Sequence, residues 1–415
     1  MKKVVNSLLA VAVASASGSL LAAGFALNEQ SVSAMGTSFA GRSSSANDAT
    51  TVYGNPAGMA LLKGEQASVG AAVILAKTRI DDTAGSTPLT NQPLTGSNDG
   101  DMVPFTGVPM GFYVNPLNEQ WTFGLGFYVP YGMITEYEKG FQGRFFGDYS
   151  EVNVVTLQPT LSYRVNDYLS LGFGPTFNRV EGRLETAALV DNGRIVIEGD
   201  DTAVGFNAGL LLELSERTRL GVTYHSMVDY RLEGKTTYSG MPQGAQLIGR
   251  GNGRFDTTLD LRTPEMIDSS ITHQLNDRWT VYAGAAWTRW SRLQTIKADS
   301  LQTVEEKQHW NNSWSYAAGV SYALSKELTL RSGIAFDQSP TNNHERSPRI
   351  PSGDRVAISF GLGWTLSEQM SLDLAYSYLR EEDTDIHQQN PGKGSYSAVY
   401  KNSAHGLGAQ LNYFF

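Results

Sequence analysis

Six histidines are where acid–base or metal chemistry would be sought first. His225, His273, His309, His344, His387 and His405 lie scattered, with no His-Glu-x-x-His run or other ligand spacing. Ser226 follows His225, but a neighbour pair lacks the geometry that activates a serine, and no Gly-x-Ser-x-Gly elbow occurs. Gly249–Arg250–Gly251–Asn252–Gly253 is as glycine-rich as a phosphate cradle, yet without a strand-to-helix setting it reads as a flexible loop. These types and spacings predict no enzyme, no metal and no cofactor. What remains are ionisable and kink-forming residues inside alternating segments. Arg331 and Asp337 fall opposite Leu328, Leu330, Ile334 and Phe336; Glu265 follows Pro264; Pro130 precedes Gly132 by two. Their meaning depends on the elements that carry them.

Those elements are strands. A short polar turn leads repeatedly into a run that alternates apolar with small or polar residues. Asn118–Glu119–Gln120 precedes Trp121, Phe123, Leu125 and Phe127, and Asn166–Asp167 precedes Leu169, Leu171 and Phe173. The unit recurs at Ser215–Glu216–Arg217, Asn276–Asp277–Arg278, Ser325–Lys326–Glu327 and Ser367–Glu368–Gln369. Asn, Asp and Ser suit tight turns because their side chains bond nearby backbone. Period two puts one residue set on each face of a sheet; the apolar set faces a core in a soluble sandwich and lipid in a membrane barrel.

Three observations select the barrel. Connections on one side take about three residues, whereas 81–102, 183–200, 234–255, 291–312 and 383–400 are long and polar, the asymmetry of an outer-membrane barrel. Trp121, Trp279 and Trp364 lie beside short turns and Trp287 and Trp314 near long loops, as two interfacial girdles require. The chain closes on alternating Leu407, Ala409, Leu411, Tyr413 and Phe415, which resembles the signal read by the barrel assembly machinery. Six short turns with both termini on that side imply fourteen strands, beginning near 65, 105, 120, 151, 168, 201, 218, 256, 278, 313, 327, 354, 369 and 401. The fold class is therefore all-β, a fourteen-stranded antiparallel transmembrane barrel over 65–415 without an unpaired edge in lipid.

The remaining sequence agrees. Lys2 and Lys3, an apolar stretch from Leu8 to Ala14 and a small-residue end make 1–23 a secretory signal peptide, cleaved before Ala23 or Gly24. No run of about 18 apolar residues follows, so no membrane-spanning helix is available. The chain of 415 residues has no cysteine and a formal charge of −9, so neither a disulfide framework nor nucleic-acid binding is expected. Residues 24–64 precede the first strand and carry Phe25, Leu27, Met35, Phe39, Val52, Tyr53 and Met59, too many apolar groups for a disordered leader. They are a candidate plug for the lumen. By parity Arg331 and Asp337 point inward, where ionisable groups pair or mark a transport path. Parity with Leu259 and Leu261 puts Glu265 in lipid, so Pro264 is expected at a bulge that turns it inward.

Gly24–Phe25–Ala26–Leu27–Asn28–Glu29, then Asn55–Pro56–Ala57 just before strand one, resemble the FadL family of outer-membrane hydrophobe transporters. The resemblance continues through Trp121 to Tyr137, Pro264–Glu265–Met266, Gly333–Ile334–Ala335–Phe336–Asp337, Ile350–Pro351 and Asp354–Arg355. It implies an N-terminal hatch carrying Phe25, Asn55, Pro56 and Ala57, and lateral release beside a kinked third strand. Pro130, which cannot donate a ladder bond, and Gly132 supply a physical basis for that kink. The hatch around Asn55 is expected to lie against it. The resemblance also implies Asp337 as a hatch contact, and Arg179 and Lys307 as candidates for a ligand head group.

The implied function is passive transport of long-chain fatty acids or related hydrophobic compounds, by loop capture, hatch movement and lateral exit. The alternative is an aqueous porin, against which the plug and Asn55–Pro56–Ala57 speak. Expected partners are the hydrophobic ligand, outer-membrane lipid and lipopolysaccharide, and the assembly machinery, with the barrel a monomer in the Gram-negative outer membrane.

Overall fold

Short turns with the right side chains set the strand ends. Asn118 Oδ1 accepts from the backbone N–H of Gln120 and Trp121, each at 2.9 Å. Asn166 and Asn276 repeat this with Tyr168 and Leu169, and with Arg278 and Trp279. Each asparagine thus closes its own turn and releases the chain into the next strand. The computed structural model describes residues 24–188, 190–248, 251–300 and 303–415. The expected signal peptide, and Gly249–Arg250 of the glycine-rich stretch, lie outside the described residues.

The wall is a closed antiparallel barrel of fourteen strands. In chain order they are β1 (Gln66–Ser86), β2 (Thr106–Pro116), β3 (Trp121–Glu136), β4 (Tyr149–Arg164), β5 (Leu169–Ala188) and β6 (Val190–Ser215). β7 is Thr218–His225 continued by Val228–Ser239, and β8 is Gly253–Thr263 continued by Met266–Gln274. β9 is Trp279–Thr288 with Thr295–Asp299, and β10 is Val304–Lys307 with Ser313–Ala323. β11 (Leu328–Asp337), β12 (Arg355–Ser367), β13 (Met370–Glu381 with Thr384–Asn390) and β14 (Gly394–Phe414) complete it. β14 pairs with β1 from Gln66↔Phe414 onward, so first and last strands protect each other's edge.

Alternation sorts the faces as lipid requires. Val69, Leu125, Leu161, Leu171, Phe173, Leu330, Ile334 and Phe360 are exposed outward, while Gln158, Thr160, Ser162, Gln410 and Asn412 are buried inward. Trp121, Trp279 and Trp364 stay exposed beside the short turns, and Trp314 at the opposite end.

Two expectations change. Much of 183–200, 234–255 and 383–400, read as loop, is strand, because ladder pairing continues beyond the lipid-facing band. Leu259 and Leu261 face inward and are buried, so Glu265 already shares an inward parity. The irregularity is nonetheless real. Pairing of β7 with β8 stops at Val228↔Thr263 and resumes at His225↔Met266, so both strands break at one level. Below the break the parity reverses, with Ile267 and Ile271 exposed and Asp268, Ser270 and Thr272 buried.

Residues 24–64 contain two one-turn helices, α1 (Val32–Met35) and α2 (Thr51–Gly54), and a 3₁₀ turn over Pro56–Leu61. Asn55 caps that turn, its Oδ1 accepting from the Ala57 N–H at 3.0 Å, with Pro56 at the first helical position. The segment touches the inner wall on β3–β6 through the 3₁₀ turn and on β1, β12, β13 and β14 through α1. Wall glycines permit this approach: a Cβ on Gly209 would stand 2.0 Å from Asn55 Oδ1, and one on Gly221 1.7 Å from Ser43 O.

Candidate functional site

The site begins where β3 loses its neighbour. β2 pairs with β3 only up to Gly111↔Phe127, although β2 continues to Thr106 against β1. On the other side, Val129 and Pro130 together face Val155 of β4, a one-residue bulge between Tyr128↔Thr156 and Tyr131↔Val154. Pro130 brings no N–H, and the extra residue turns Tyr131 and Met133 inward.

Freed backbone needs new partners, and residues 25–30 supply them. The Gly132 N–H donates to Phe25 O at 2.9 Å, and the Leu27 N–H donates to Pro130 O at 2.8 Å, around an antiparallel bridge Ala26↔Tyr131. The Gln30 amide donates to Val129 O at 2.5 Å and accepts from the Val129 N–H at 3.3 Å. Residues 25–30 therefore stand in for a missing strand.

Asn55–Pro56–Ala57 are elsewhere, which corrects the expectation that they meet the kink. The Asn55 amide donates to Leu210 O at 3.0 Å and Ser43 O at 2.6 Å, and Ala57 O accepts from Ser162 Oγ at 3.1 Å. Pro56 and Ala57 pack over Gly172. The motif anchors the far end of the segment to β4–β6. The alternation Phe25–Ala26–Leu27 was the sequence signal for the true contact.

Phe25 also closes an apolar cavity. Its walls are Met133, Val152, Leu184, Ile197, Leu232, Leu259, Leu261, Leu293, Ile296 and Ile350, from β3–β9 and the β11–β12 connection. The Phe25 ring packs against Tyr131, Trp290 and Trp310 at centroid distances of 5.7, 4.9 and 6.0 Å. Tyr131 reaches across to donate to Pro264 O at 3.0 Å, joining the kink of β3 to the break in β8. Among the described residues one cation lines this cavity, Arg349, which is buried. Its Nη1 donates to Tyr149 O and Ser150 Oγ, both at 2.8 Å, and its Nε lies 3.2 Å from Glu306 Oε2. Lys393 Nζ lies 3.0 Å from Glu306 Oε1. Burial works to raise the Glu306 carboxyl, but Arg349 and Lys393 outweigh it and hold it down to about 2.

The other predicted residues sort around this centre. Arg331 faces inward, paired with Asp373 at 2.5 Å and packed over Gly361. Asp337 lies 3.3 Å from Arg355, and both line a second cavity beside the segment. Glu265 is buried between Arg289 and Arg292 at 3.1 and 2.9 Å. Neither head-group candidate reaches the apolar cavity: Arg179 is held by Glu181 and Asp200 at 3.0 and 3.2 Å, and Lys307 is exposed. Arg349 lines it instead. No local pattern marked it, because the β11–β12 connection that carries it folds inward over the lumen.

The second cavity gathers charge among largely apolar and small side chains. Asn28, Glu29 and Arg42 of the segment meet Asp268, Asp337 and Arg355 of the wall there. Glu29 Oε2 has no hydrogen-bond partner among the described residues, and burial pushes its carboxyl up to about 7.

Fold and site together define a class: an outer-membrane barrel whose lumen is crossed by its own N-terminal segment and holds an apolar cavity. The chain belongs to the outer membrane protein transport protein family (OMPP1/FadL/TodX), whose model matches residues 13–415. It is 31% identical to outer membrane protein P1 of Haemophilus influenzae, covering 100% of both chains. It is 30% identical to a long-chain fatty acid transport protein of Escherichia coli O6:H1, over 99% of this chain and 98% of that one. Among solved structures it resembles a Pseudomonas aeruginosa FadL homologue, with a TM-score of 0.89 and 27% identity over 95% of this chain and 100% of the other. The protein is an outer-membrane transporter.

Proposed function

We propose that the protein carries long-chain fatty acids or related hydrophobic compounds inward by passive diffusion, with residues 24–64 as a hatch and the gap beside β3 as the exit. One observation carries this reading: Phe25 closes the apolar cavity and, through the same residues, completes the unpaired edge of β3. Ligand that displaces Phe25 would loosen residues 25–30 and uncover the gap. A long acyl chain gains by leaving sideways into lipid, because passage into periplasmic water would hydrate each methylene again, at about 0.8 kcal/mol. The apolar cavity and the wall-to-wall contacts of 24–64 support this over an aqueous porin.

The test restores the ladder. Replacing Pro130 by Val and Gly132 by Thr returns a donor and a strand-forming side chain to β3. Uptake of labelled oleate, in cells lacking their own transporter and at matched barrel levels, is expected to fall at least ~10-fold while the barrel stays folded. Normal uptake by this variant would rule out lateral exit at β3.

A further inference from the structure

Arg349 is a buried cation at the edge of an apolar cavity, and its partner Glu306 comes from a different extracellular connection. Glu306 sits on the hairpin pairing Thr295–Ala298 with Val304–Lys307, whose Ile296 lines the same cavity opposite Glu306 in the ladder. Lys393 reaches the carboxylate from the β13–β14 turn. Gly147, at φ +136, leaves room for Arg349: a Cβ there would stand 2.6 Å from the guanidinium carbon. Three extracellular connections therefore converge on one carboxylate at the end of a space shaped for hydrocarbon.

We propose that Glu306 is an internal stand-in for the ligand's carboxylate, and that a long-chain carboxylate binds by displacing it from Arg349. The inference rests on the hydrophobe-transport reading and concerns how an ionised acyl chain, unlike a neutral one, engages the connections over the cavity. Exchange of one carboxylate for another keeps the buried guanidinium paired throughout. A neutral hydrocarbon must either leave the Arg349–Glu306 pair intact or strand a buried charge, which is strongly unfavourable. Released from Arg349, Glu306 keeps Lys393 as its partner, and the hairpin carrying it is freed to move. Binding of the acid thus unlocks the connections over the cavity, which binding of an alkane does not.

The experiment uses the full-length protein in detergent, with oleate as the charged probe and oleyl alcohol as the neutral one, measured by equilibrium binding. Glu306→Gln is expected to tighten oleate by about tenfold and leave oleyl alcohol unchanged, the worth of one charge-assisted bond. Arg349→Gln is expected to weaken oleate by a similar factor and again spare oleyl alcohol. The double variant should behave as Arg349→Gln does. Heat-modifiable migration confirms that each variant is folded. Unchanged or weaker oleate binding by Glu306→Gln overturns the exchange, as does equal tightening of both probes, which would report a loosened hairpin. Failure of the unaltered protein to bind either probe would instead sink the transport reading beneath it.

Discussion

The two cavities beside the N-terminal segment differ most in the charge they hold. Toward β3 the walls are Leu184, Ile197, Leu232, Leu259 and Leu261, with Arg349 neutralised by Glu306 and Glu198 by Arg183 and Arg254. Toward β10–β13 they are Ala317, Ala335, Ala357, Ser359 and Ser377, with three carboxylates and two guanidiniums. Large branched side chains facing inward on one arc give a hydrocarbon somewhere to go. On the other arc small residues leave room that charges occupy, and charges that poorly solvated exclude acyl chains. The difference teaches that a barrel lumen need not be uniform: the inward residue set changes character around the circumference, and the segment crossing it separates the halves.

The harshest way to break the contrast is to carry charge into the apolar half. Ile197→Asp should lower oleate binding by ~100-fold or more, since it puts a carboxylate where leucine and isoleucine side chains would otherwise hold the acyl chain. Ala317→Asp, a comparable insertion in the charged half, should change it less than ~3-fold. Equal losses at both positions, measured by oleate binding to the folded barrels, would mean the arcs are not functionally distinct.

A smaller effect should come from Glu29. Its carboxyl is raised by burial, so the closed segment favours the protonated form; that stabilisation is full below the ordinary carboxylate range and is lost as pH rises through about 7. Displacement of residues 25–30 should therefore become easier by up to ~10-fold per pH unit from about 5 to 7. Hydrogen exchange at the Leu27 and Gly132 amides, corrected for intrinsic rate, reads this directly. Glu29→Gln should flatten the profile; a wild-type profile that is already flat would remove Glu29 from any control of the segment.

The least change is expected at Glu306. Its carboxyl is depressed by Arg349 and Lys393, so its contribution is complete above the ordinary carboxylate range and is lost only as pH falls through about 2. Cross-linking between cysteines placed on the β9–β10 hairpin and the β11–β12 connection should be constant from about pH 5 to 8. A drop inside that window would show that this clamp is not what holds the connections.

Much of this architecture follows from local rules. Asn118, Asn166 and Asn276 close turns through their own side chains, and the run after each is a strand whatever surrounds it. Pro130 announces a fault in β3 because a missing N–H cannot be supplied by context. Parity, by contrast, holds only as far as the next irregularity. It placed Arg331 and Asp337 correctly and misplaced Leu259 and Leu261, because the shared break at 226–227 and 264–265 reverses the faces of β7 and β8.

What meets inside the lumen was decided by closure alone. Once Gln66 pairs with Phe414, the ring is complete and inward residues far apart in sequence become neighbours. Val32 finds Gln410, Asn55 finds Leu210 rather than the kink, and Arg349 finds Glu306 and Ser150. Turn chemistry and period two act over a few residues and are written in the chain. The apolar cavity, its buried cation and the partner of the β3 gap each need several strands and connections held at one height, and only the closed wall holds them there.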